Sequence, residues 1–178
     1  MSAKRKTDLP YRKGVGAVLI NRDGLVFVAR RIDTPGDAWQ LPQGGIDGAE
    51  KAGRAILREL AEEIGTTKAE IIAKSKRWYH YDLPEALIGR VWGGKYRGQK
   101  QRWFALRFTG TDADIDLAAN GHPEFDDWRW VPIETLPALA IAFKHSLYED
   151  LVEEFRHLAA PSNADVRCPA GGDRAGRE

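Results

Sequence analysis

GGIDGAEKAGRAILRELAEEIGT, residues 44–66, is the stretch on which the reading of the chain turns. Ile56, Leu57, Leu60, Ala61 and Ile64 recur at the spacing that gives a helix one apolar arc. Asp47 followed three residues later by Glu50 resembles a capping box with Asp47 as N-cap, and Gly65 suits the position just past a helix end. A helix is therefore predicted over 49–64, with the five apolar residues facing the core. Glu59, Glu62 and Glu63 then fall within an arc of about 100°. Glu59 and Glu63 stand one turn apart, a mildly destabilising like-charge pair. Ala52 and Ala55 precede them on the same face and leave room beside the acids. Two readings follow. The acids form a solvated face, or they gather a hard divalent cation such as Mg²⁺, which is usually held by a few carboxylates plus substrate phosphates.

Outward from this helix the chain alternates strand and turn. GVGAVLI (14–20) and LVFVARR (25–31) flank NRDG and read as a hairpin. WQLP is a short strand running into Gly44 and Gly45, which read as turn geometry. Further strands are expected over 70–84, 101–108 and 127–133, and an amphipathic helix over 145–158. Strands mixed with two substantial helices imply an α/β or α+β sandwich with a mixed sheet. One domain is expected over 1–160, followed by a disordered tail over 161–178 whose composition is polar and rich in Gly and Pro.

Composition narrows the function classes. The chain has 178 residues, 43% hydrophobic and 30% charged, as in an ordinary globular protein. No stretch approaches the roughly 18 apolar residues needed to span a bilayer, and the basic N-terminus lacks the apolar core of a secretory signal. The single cysteine, Cys168, cannot form an internal disulfide, so a reducing cytoplasm is expected. Net charge is +1, but six basic residues and no acid lie over 89–110, while six acids and no Lys or Arg lie over 111–127. His80, His122, His145 and His157 show no paired metal-ligand spacing, which disfavours zinc. Neither a G-x-S-x-G elbow nor a P-loop is present.

The spacing of the opening stretch decides between its two readings. Gly44, Glu50, the Arg58-Glu59-Leu60 run, Glu62-Glu63 and Gly65 stand at the intervals of the Nudix box, and the chain is identified by them as similar to the Nudix hydrolases. These enzymes hydrolyse a nucleoside diphosphate linked to another group. One departure is Thr66, where the family usually has a bulky aliphatic residue. The resemblance implies an α/β/α sandwich around a central mixed sheet. It also implies a Mg²⁺ site at Glu59, Glu62 and Glu63 with Gly44 beside it, Mn²⁺ or another divalent cation substituting, and Glu50 and Arg58 as structural support.

Beyond the box, WQLPQGG, RWYHYDLP, GQKQRWFALRF, PEFDDWRWV and IAFKHSLYEDLVEEF resemble the bacterial RNA pyrophosphohydrolase group, which shades into the dinucleoside polyphosphate hydrolases. That resemblance implies Arg12 as a phosphate contact, and Arg31, Gln99 or Gln101, Phe143 and Lys144 near the first nucleotides. Phe143 either stacks on a base or is a core aromatic ahead of the last helix. Glu124, in PEFD, is implied as a further metal-side carboxylate, against the plainer reading of a loop acid. The reaction implied is hydrolysis of a 5′-triphosphate RNA end to a monophosphate with release of pyrophosphate, preparing RNA for decay. Cleavage of a dinucleoside polyphosphate such as diadenosine tetraphosphate is the alternative, and a non-catalytic RNA-binding module is the third. The partner is thus an RNA 5′ end or a nucleotide polyphosphate, with no DNA and no membrane, while the question of a protein partner stays open.

Overall fold

The computed structural model describes residues 8–160, so the tail expected over 161–178, Cys168 included, lies outside the described residues. Two long strands form the spine, β1 (Tyr11–Ile20) and β7 (Gly98–Phe108), which run parallel from the Tyr11–Gly98 pair to the Ile20–Arg107 pair. Between them in sequence come β2 (Val26–Arg31), β3 (Trp39–Gln40), β4 (Gln43–Gly45), helix α1 (Ala52–Ile64), β5 (Ala69–Lys74) and β6 (Tyr79–Asp82). After β7 follow β8 (Phe125–Val131), a one-turn helix α2 (Leu136–Leu139) and helix α3 (His145–Phe155). The strand order is β3-β2-β1-β7-β5, with β4 on β1, β6 on β7 and β8 on β2. These other pairings are antiparallel, so the sheet is mixed.

The period-two alternation of β1 and β7 separates two cores. Val15, Ala17 and Leu19 share one cluster with Phe104, Leu106 and the α1 residues Ile56, Leu60 and Ile64. Val18 and Ile20 share the other with Trp103, Ala105 and the α3 residues Leu147, Tyr148, Leu151 and Phe155. Helices thus cover both faces of the sheet, the three-layer arrangement that the sequence implied. Leu60 and Leu151 are fully buried, one in each core, and truncating either to Ala removes about 2–5 kcal/mol.

Several local expectations are corrected. Helix α1 starts at Ala52, with Lys51 rather than Asp47 in the N-cap position and no side-chain cap. The Glu50 carboxylate does accept the Asp47 N–H at 3.3 Å, but it closes a turn ahead of the helix. Gly65 ends the helix in the left-handed region, at φ 70°, where glycine carries no Cβ penalty. The buried stripe is Ala55, Ile56, Glu59, Leu60, Glu63 and Ile64, whereas Leu57 is 39% exposed. The helix is therefore rolled so that two of its acids, not Leu57, lie against the protein. The strand expected over 70–84 is split at Ser75, whose Oγ accepts the Trp103 N–H and donates to the Arg77 carbonyl. The last helix ends at Phe155 and tightens into a 3₁₀ turn over Arg156–Leu158.

Candidate active site

The site begins where β4 meets α1. Gly44 passes so close to α1 that a Cβ on it would stand 1.9 Å from the Glu59 Cδ, so the Glu59 carboxylate fills the space a side chain here would take. One residue earlier, the Gln43 N–H donates to Glu63 Oε2 at 3.1 Å. Antiparallel pairing of Gln43, Gly44 and Gly45 with Gly16, Val15 and Gly14 fastens this turn to β1. Strand backbone and helix acids are thus held together by hydrogen bonds and by contact.

Arg58 organises the acids from within its own helix. Nε and Nη2 donate to the two oxygens of Glu50 at 3.1 and 2.9 Å, a bidentate pair. Nη2 also donates to the Gly45 carbonyl at 2.9 Å, while Nη1 donates to Glu59 at 3.0 Å and to Glu62 at 3.1 Å. One guanidinium therefore ties the turn before the helix to two of the three acids, a task that suits its rigid fork. Its hydrogen bonds hold the Glu50 carboxyl below the usual range.

Burial first, and the neighbouring acids after it, raise two of the carboxyls. Glu59 is raised by burial and by Glu62 and Glu124, against the pull of Arg58. Glu63 is raised well above the ordinary value by burial, then by Glu124 and Glu59. Glu124 arrives just before β8. A register shift between Arg30 and Arg31 in the β2–β8 pairing brings it beside Arg31, whose Nη1 lies 3.1 Å from Glu124 Oε2. Arg31 is also paired with both oxygens of Asp33.

Among the described residues, no three His, Cys, Asp or Glu side chains converge into a ready-made cation cage. The reason is visible in the contacts: Arg58 engages Glu59 and Glu62, Gln43 engages Glu63, and Arg31 engages Glu124. The donor chemistry nonetheless fits a hard divalent cation. All four groups are carboxylates, and two of them are buried with their mutual repulsion incompletely offset.

Glu59, Glu62, Glu63, Glu124 and Gly44 line one open cleft of about 410 Å³ together with Arg12, Arg31, Gln43, Gly45, Trp92 and Gln99. The other expected residues stand nearby. Gln101 is fully buried behind the cleft and donates to Gln99 and Gln43 at 3.0 and 3.2 Å. Phe143 is half-buried against Tyr81, ring centroids 5.6 Å apart. Lys144 is buried, its Nζ 5.3 Å from the Tyr81 ring centroid, and it borders a smaller cavity with Arg31, Trp39, Gln40 and Tyr148.

The basic stretch of β7 does not enter the cleft as a block. Strand alternation sends Gln99 and Gln101 inward and leaves Lys100 exposed on the other side. Arg102 donates to the Ser75 carbonyl and lies over the Trp78 ring, and Arg97 donates to Asp82. Two cleft residues, Gln43 and Trp92, were not singled out from the sequence. Gln43 was legible as the residue beside Gly44. Trp92 sits in the glycine-rich run GRVWGGK, which carries no periodic signal.

Comparison with known proteins accords with this architecture. The NUDIX domain pattern matches residues 10–151, and the chain belongs to that family. It is 56% identical over 156 residues to the RNA pyrophosphohydrolase of Rhodospirillum rubrum, covering 88% of this chain and 93% of that protein. It is 51% identical over 157 residues to the RNA pyrophosphohydrolase of Rickettsia rickettsii, covering 88% and 97%. Among solved structures, the E. coli dihydroneopterin triphosphate pyrophosphohydrolase superposes with a TM-score of 0.63 at 22% identity, over 81% of this chain and 98% of that one, a likeness of fold. Among the described residues, no helix is long and apolar enough to cross a membrane.

Proposed function

We propose that the chain is an RNA pyrophosphohydrolase of the Nudix family, converting a 5′-triphosphate RNA end to a 5′-monophosphate and releasing pyrophosphate. The observation that carries this reading is the cleft itself, in which the acids of α1 face Arg12 and Arg31 across one open space. A polyphosphate needs both walls: cations held by carboxylates on one side, and fixed guanidinium groups on the other. An RNA end as the preferred substrate is supported by 56% identity over 156 residues with the RNA pyrophosphohydrolase of Rhodospirillum rubrum.

Glu59, Glu62, Glu63 and Glu124 would hold Mg²⁺, with Gly44 leaving the Glu59 carboxylate room. The chemistry such cations supply is Lewis-acid activation of water and neutralisation of charge on the departing pyrophosphate. Arg58 keeps Glu59 and Glu62 in a common orientation, and Glu50 fixes Arg58. Arg12 and Arg31 grip phosphate oxygens. Gln99, Phe143 and Lys144 lie along the route of the first nucleotides, with Gln101 behind Gln99. The proton of the attacking water passes to one of the cleft carboxylates. A cytoplasmic location accompanies an RNA substrate.

The test compares a short 5′-triphosphate RNA with diadenosine tetraphosphate, both with Mg²⁺. Faster release of pyrophosphate from RNA is expected, together with loss of turnover in Glu63→Gln at a melting temperature no lower than wild type. A higher kcat/KM on the dinucleotide would overturn the RNA assignment. Near-normal rates in Glu63→Gln would overturn the metal role of the acids.

A further inference from the structure

Trp92 is the single non-glycine residue with positive φ among the described residues, at φ 51° and ψ 35°. A bulky residue rarely adopts this left-handed conformation, so the surrounding structure must hold it there. The turn is built for it: Gly89, Gly93 and Gly94 also have positive φ. The conformation directs the indole into the cleft, where it lies against Arg12, the guanidinium carbon 5.5 Å from the ring centroid. Tyr96 supports the ring edge-on from behind at 6.4 Å.

Arg12 is unusual among the arginines of the site. Arg31 and Arg58 are each engaged by carboxylates, whereas the Arg12 side chain has no hydrogen bond or ion pair among the described residues. Its neighbours are the Trp92 ring and the bare Cα of Gly45, where a Cβ would come within 2.4 Å of Arg12 Nη2. A long side chain lacking an acid partner would otherwise sample many rotamers. Contact with an aromatic face restrains a guanidinium without occupying its N–H donors.

We propose that Trp92 is a positioning residue that holds the Arg12 guanidinium at the cleft wall with its donors free for the polyphosphate. The inference rests on Arg12 as a phosphate contact, the role given to it above. The left-handed turn at Trp92 places the ring against Arg12 while its other side packs on the core cluster of the α3 face. Substrate affinity, rather than the chemical step, is what the clamp governs.

The experiment is a double-mutant cycle read by steady-state kinetics on 5′-triphosphate RNA with Mg²⁺. Trp92→Ala is expected to lower kcat/KM about 10-fold, chiefly through KM, and Trp92→Phe to recover most of the loss. In an Arg12→Ala background, Trp92→Ala should cost nothing further. Trp92→Gly relieves the backbone while removing the ring, so it should be at least as stable as Trp92→Ala and still show the same KM defect. If Arg12→Ala itself retains wild-type kcat/KM, the phosphate role of Arg12 falls and the clamp with it. If Arg12→Ala is impaired while Trp92→Ala matches wild type, or the two losses multiply, the clamp alone is overturned.

Discussion

The carboxylate of Glu59 occupies the space that a side chain on Gly44 would need, the two being separated by 1.9 Å in the would-be Cβ to Cδ contact. The obstructing atoms are the end of a flexible side chain, so Gly44→Ala can fold if Glu59 swings away. That movement would also break the Arg58 contact at 3.0 Å. Gly44→Ala is therefore expected to keep a melting temperature within a few degrees of wild type while losing about 100-fold or more in kcat, as for a displaced catalytic group. Thermal unfolding and turnover on the same preparation check both halves.

Arg58 makes its contacts through a planar fork that lysine lacks. Arg58→Lys preserves the charge but cannot bond both oxygens of Glu50 while also reaching the Gly45 carbonyl, Glu59 and Glu62. The acids then lose their common orientation. The expected outcome is a fall of about 10–100-fold in kcat with a weaker apparent Mg²⁺ affinity. Titrating activity against Mg²⁺ separates the two effects, and full activity in Arg58→Lys would show that charge alone suffices.

The limits of sequence reading have identifiable causes at particular residues. Glu59, Glu62 and Glu63 were legible because helical spacing and the fixed positions of the box coincide. Leu57 was assigned to the core because hydrophobicity points inward, yet contact between β4 and the acids rolls the helix away from it. Asp47 was read as the cap because the local pattern cannot register that the Glu50 N–H bonds the Asp47 carbonyl, closing a separate turn before the helix starts at Ala52. Lys100 and Arg102 share a basic stretch with Gln99 and Gln101, but strand alternation divides the four between two faces. Trp92 was missed because its place depends on a left-handed turn, which leaves no periodic trace.

Tyr148 links the last helix to the segment leading into the site. Its buried hydroxyl oxygen accepts the Leu41 N–H at 2.9 Å, two residues before Gln43. Tyr148→Phe leaves that backbone donor buried without a partner, so a loss of about 1–3 kcal/mol is expected. Denaturant unfolding measures it, and the midpoint should fall without a change in slope. An unchanged midpoint would mean that Leu41 finds another acceptor.

Lys144 should give the protein a distinctive pH dependence. Burial, with Arg31 adding repulsion and Glu63 opposing it, lowers its ammonium to about 7 from the ordinary lysine value. In the unfolded chain the same group keeps its proton until about pH 10.4. Between these values the unfolded state binds more protons than the folded state, so stability rises with pH across that window. Below about pH 7 both states are protonated and the cost of the buried charge is fully present; above about pH 10.4 both are neutral and it is gone. Lys144→Met removes this one titration. The variant's gain in stability over wild type is expected to be largest near pH 6, on the order of a few kcal/mol at most, and to shrink steadily towards pH 10. Denaturant midpoints of the two proteins, compared at each pH, cancel the other titrating groups. A constant difference across the range would show that Lys144 keeps its ordinary charge in the folded protein.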